Sequence, residues 1–117
     1  MKIKIHNNNY EILLVDYDDP NLEIDESYKT GVCDMLNKKI YIANNLNKDA
    51  MYYTIFHEIT HAVTDSYGFL QVEWDNEIIA DFVANYNETI NSIASEVIKY
   101  VNKKRNSNSK GNNGRII

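Results

Sequence analysis

Apolar positions along this chain fall into three short runs followed by two long periodic stretches. Tyr10 to Tyr17 contains Ile12-Leu13-Leu14-Val15 and predicts a strand. Thr30 to Leu36 and Lys39 to Ala43 predict two more, the last with Ile40 and Ile42 alternating about Tyr41. Asn37-Lys38 stands between them, where a tight hairpin turn would go. From Lys48 to Tyr67 the period changes. Met51, Ile55, Ile59, Ala62 and Val63 recur at helical spacing, and Tyr52 and Phe56 widen the stripe. Asn44, Asn45 and Asn47 are candidate N-caps, Asp49 suits the first turn, and Gly68 suits the end. A second helix is predicted from about Asn76 to Tyr100, capped by Asp75 or Asn76, with Phe82, Tyr86, Ile90, Ile93 and Val97 on its apolar side. Three antiparallel strands before two long helices make an α+β domain, a small sheet packed on two helices.

The chemistry is concentrated on the first helix. His57-Glu58-Ile59-Thr60-His61 is an H-e-x-x-H pattern written with its own residues. Residues four apart lie one turn above each other on one helix face. Two imidazoles at that spacing can share one metal ion, and Glu58 between them can take a proton from a water molecule. At about 100° per residue, Thr54, His57, Glu58, His61 and Asp65 form a polar stripe beside the apolar one. The helix thus has one face for a core and one for a site. The competing structural reading is a pair of hydrogen-bonded histidines with no ligand role.

Composition narrows the setting. With 44% hydrophobic and 25% charged residues in 117, the chain reads as one globular domain with a modest core. No apolar run approaches a membrane span, and no signal peptide is expected at the start. Cys33 is the only cysteine, so no internal disulfide forms; a reducing, cytoplasmic setting is expected, with Cys33 buried in a strand. The net charge of −5 is uneven. Lys103, Lys104, Arg105, Lys110 and Arg115 lie in an Asn/Ser/Lys/Gly stretch with no acids. Residues 103–117 are therefore expected to be a disordered basic tail on a domain spanning 1–102. The acidic body that remains argues against a nucleic-acid backbone as its partner. His6 is expected to be exposed and uncommitted. The acidic run from Asp16 to Glu26, around the single Pro20, lacks the spacing and glycine of a calcium loop and is expected to be a solvated loop or short helix.

A catalytic zinc takes three protein ligands and keeps one position open. Beyond His57 and His61 only His6 remains, far upstream, so the third ligand is expected to be a carboxylate. Asp65 lies one turn past His61 on the same stripe and suits a hydrogen-bonding partner of a ligating ring better than a ligand. Glu77 opens the second helix and Asp81 follows one turn later, with the small Ala80 and Ala84 beside them. We assign Glu77 as the ligand and Asp81 as the acceptor that would orient a ligating histidine.

These features together resemble the ImmA/IrrE family of metallopeptidases. The resemblance covers roughly residues 30–90: Ile40-Tyr41-Ile42, a short polar link, the helix with His57-Glu58-x-x-His61-Ala62, then Glu77-x-x-Ala80-Asp81-x-x-Ala84. Thr60 stands where such proteins often carry glycine. The resemblance implies a zincin-like fold, zinc held by His57, His61 and Glu77, Glu58 as general base, and a bacterial or phage setting. It also implies a protein substrate, such as a transcriptional repressor or host regulator. Tyr53, Tyr67 and Tyr86 are candidates for stabilising the oxyanion. The strand Lys39–Ala43 is expected to border the cleft and to receive substrate along a free edge. A different class remains open, a small phage-encoded inhibitor that binds a host protein and keeps the metal for structure.

Overall fold

The computed structural model describes residues Met1 to Ile116, with side chains described as far as Ser107. Six strands precede two helices: β1 Lys2–Ile5, β2 Asn8–Val15, β3 Glu23–Ile24, β4 Ser27–Tyr28, β5 Gly31–Asp34, β6 Lys39–Ala43, α1 Lys48–Ser66 and α2 Asn76–Ile116. The class is α+β, as expected. The main sheet has four strands in the order β1-β2-β6-β5, and β3 and β4 form a separate hairpin.

Four details of the sheet differ from the sequence expectation. The fourth strand is β1, whose Ile3 and Ile5 alternate inward while Lys2 and Lys4 point out. It folds back on β2 through His6 and Asn7, with His6 at a φ of 54. Second, β2 and β6 run parallel, with Ile12 beside Ile40 and Leu14 beside Ile42. Third, β6 is central, paired with β2 on one side and antiparallel β5 on the other, so it offers no free edge. The edge strands are β1 and β5, and β5 is the one that lies against Thr54 and Glu58 of α1. The turn between β5 and β6 is longer than Asn37-Lys38: β5 ends at Asp34, whose carboxylate accepts from the Asn37 amide at 3.0 Å, and Lys38 has a φ of 56.

One face of the sheet carries Ile3, Ile5, Tyr10, Ile12, Ile40 and Ile42 against Met51, Ile55, Ile59 and Val63 of α1. Phe82, Ala94, Val97 and Val101 of α2 close the same core. The other face is covered by a smaller cluster in which Leu22 packs under Tyr41 and Ala43. Leu22 closes the 3-10 turn Pro20–Leu22, so the acidic run is partly structured: a short turn, then the β3–β4 hairpin.

Both helices start where their caps predict. The Asn47 side chain accepts from the Ala50 amide at 2.8 Å, and Asp75 accepts from the Ile78 amide at 2.9 Å. Gly68, at a φ of 81, lets the Phe69 amide reach the Thr64 carbonyl and end α1. The second helix does not stop at Tyr100. Its buried stripe continues to Val101, and the Arg105 guanidinium donates to the Leu46 carbonyl at 2.7 Å. Helix α2 thus continues past Asn102; the side chains of the expected tail from Asn108 onward lie outside the described residues.

A candidate metal centre on the first helix

Helix α1 lies across the sheet with Ile55, Ile59 and Ala62 buried below and His57 and His61 on the exposed rim. The two Nε2 atoms stand 3.2 Å apart, with the ring planes at 76°. Two ligand nitrogens roughly 2.0–2.1 Å from one zinc at a near-tetrahedral angle are about 3.3 Å apart. The pair thus meets the spacing of two ligands on one ion. His57, Glu58 and His61 each offer a ligand atom, all within 4.8 Å of one another. This group can bind a metal. Burial, and secondarily His57, lower the His61 pKa from its ordinary value. That favours the neutral imidazole, the form that ligates.

Glu58 differs from its neighbours in being buried, at 6% exposure. Edge strand β5 covers it. Gly31 makes that approach possible: a Cβ there would sit 2.5 Å from Thr54 Cγ2, 3.0 Å from Glu58 Cγ and 3.2 Å from Glu58 Oε2. The Thr54 hydroxyl donates to the Thr30 hydroxyl at 3.0 Å, tying strand to helix beside the site. Burial pushes the Glu58 carboxyl above its ordinary value, while His57 and a hydrogen bond from the Cys33 amide pull it down. The Cys33 thiol is pushed up to about 12, by burial first and the Glu58 charge second, so it is a protonated wall residue and no ready ligand. Together these residues line a cavity of about 390 Å³ that also includes Tyr53 and both histidines.

Asp65 has a different task from the one expected. It accepts from Lys38 Nζ at 2.6 Å and from the Tyr10 hydroxyl, so it fastens α1 to the sheet. Burial, then Asp65, raise the Tyr10 pKa and keep the hydroxyl protonated. The physical reason is rotation. One turn past His61, the stripe has drifted about 40° toward the sheet.

Glu77 and Asp81 are exposed at the head of α2 and are not part of the His57–Glu58–His61 group. Phe82 is the buried residue of this segment. Glu77 is rotated about 140° and Asp81 about 100° from it around the helix. Of the three tyrosines, Tyr53 adjoins the site, its ring centroid 5.7 Å from that of His57. Tyr67 and Tyr86 instead stack on each other at 4.6 Å, and His6 packs on Tyr67 at 4.9 Å. His6 is exposed, as expected, and has that one ring neighbour.

Gly31 and the Cys33 amide were not singled out from sequence, whereas Thr54 was placed on the polar stripe without its bond to Thr30. A signal for Gly31 existed, since a lone glycine in a strand often marks close backbone approach. Nothing in the sequence pointed to the Cys33 amide, because backbone donors carry no residue signature.

No family model, curated protein or solved structure matches this chain.

Proposed function

We propose that this chain is a zinc-dependent endopeptidase of the ImmA/IrrE type, acting on a bacterial or phage regulatory protein such as a repressor. The observation that supports it best is the pair of Nε2 atoms 3.2 Å apart on the rim above the buried Glu58. His57 and His61 would hold zinc, with Glu77 as the third ligand that the resemblance implies. When bound, zinc would polarise a peptide carbonyl and make water a better acid. The chain's own residues do the rest. Glu58 takes a proton from water and returns it to the leaving amine. The Cys33 amide and the close approach at Gly31 hold its carboxylate against the strand. Tyr53, beside His57, is the tyrosine best situated to donate to a developing oxyanion. An extended substrate would add as a strand along the outer edge of β5, the role first expected for β6.

The test joins metal analysis to proteomics. Purified wild type and Glu58→Gln protein are assayed for zinc by mass spectrometry, and new protein N-termini are compared between cells expressing each. Equimolar zinc in both, with new termini only for wild type, supports the proposal. A stable complex with a host protein, no cleavage and indifference to chelator would replace it with the binding-inhibitor reading.

A further inference from the structure

On the flank of His61 away from β5, the site opens into a second groove. His61 and Thr64 of α1 form one wall, Leu70, Trp74 and Val83 the opposite one, and Phe82 the floor. Its volume of about 460 Å³ lies within the range of small-ligand sites. Leu70, Trp74 and Val83 are 52%, 41% and 54% exposed, so three large apolar side chains stand open to solvent around one depression. That is unusual for scattered surface residues and is what a binding groove looks like.

The position of the groove names its occupant. His61 lines both this groove and the cleft under β5, so the two meet at that histidine. A peptide lying along β5 and past Glu58 would next meet this groove. Among the described residues no Asp, Glu, Lys or Arg lines it, so a charged side chain placed there would lose water and meet no opposite charge from the chain. A large aliphatic or aromatic one would bury its surface against Trp74, Val83 and Phe82.

We propose that this groove receives a large apolar side chain of the substrate peptide, beside the bond that is cut, and that Trp74 and Val83 select it. This rests on the peptidase reading, but binding can be read separately from turnover. Trp74 is the only tryptophan in the chain, so its emission reports on the groove alone. Full-length Glu58→Gln protein is titrated with blocked alanine-based hexapeptides in which one central residue is leucine, phenylalanine or aspartate. The leucine and phenylalanine peptides are expected to shift Trp74 emission to the blue and saturate. The aspartate peptide should bind at least tenfold more weakly. Val83→Arg, at an exposed helix position, should lose the leucine peptide by at least tenfold with an unchanged circular dichroism spectrum, and Val83→Leu should keep it. Equal titration by leucine and aspartate peptides, or a Val83→Arg protein that binds leucine as before, overturns the proposal. Leucine binding with no cleavage by wild type would sink the peptidase reading and leave the groove standing. Cleavage without apolar preference would do the reverse.

Discussion

Gly31→Ala is the substitution on which the reading of the site depends most. The added methyl would lie 2.5 Å from Thr54 Cγ2 and 3.0 Å from Glu58 Cγ, where ordinary contacts begin near 3.4 Å. Neither neighbour moves freely. Thr54 is 2% exposed, and its hydroxyl is held by Thr30. Edge strand β5 must therefore lift from α1, carrying the Cys33 amide away from Glu58. Overpacking of this kind costs about 1–3 kcal/mol. For a domain of this size that corresponds to a fall in Tm of roughly 3–15 °C. Thermal unfolding followed by circular dichroism measures it. The cause is isolated by Thr54→Ser, which deletes the clashing methyl and keeps the hydroxyl. In the double mutant most of the loss should return, with a coupling energy of about 1 kcal/mol or more. A Gly31→Ala protein that melts within a degree of wild type, or a strictly additive double mutant, would refute the close approach of β5 to α1.

The other predictions are shorter. Glu58 holds its proton more tightly in the folded chain than in the unfolded one, because burial raises its pKa. Stability therefore falls as pH rises from the ordinary carboxyl value through the raised one. Metal-free Glu58→Gln, which cannot ionise, should melt above metal-free wild type at about pH 8, and the gap should close by about pH 4; a constant gap would mean that ionisation is not its source. Glu77→Ala is expected to lose zinc, and Asp81→Ala to lose at most the roughly 10–100-fold in affinity of an orienting partner. Full zinc content in Glu77→Ala by mass spectrometry would remove Glu77 from the site. Asp65→Ala should keep zinc but destabilise the fold by about 1–3 kcal/mol, since it leaves the buried Tyr10 hydroxyl without its acceptor. Denaturant melts and metal analysis on one preparation separate the two effects.

Three of the strands, the starts of both helices and the His57–His61 pair were legible because they depend on local spacing. His57 and His61 converge through helical geometry alone, and the helix is written in Met51, Ile55, Ile59 and Val63. Asn47, Asp75 and Gly68 marked boundaries through contacts made within a few residues. The length of α2 was misjudged because Asn102 and the basic residues after it look like a polar tail. Arg105 instead finds its acceptor on Leu46, 59 residues away in sequence.

Tertiary structure decided everything that depends on which strand lies beside which. Sequence order put β6 next to α1 and suggested an exposed edge. Parallel pairing with β2 made β6 central and left β5 at the rim. Alternating apolar residues state that a strand has a buried face; they do not state who its neighbours are. The same limit applies to the acids. Asp65 and Glu58 share one polar stripe, but β5 buries Glu58 under Gly31 while the sheet claims Asp65 through Lys38 and Tyr10. Helical phase set the stripe, and the packing partner over each residue set its chemistry.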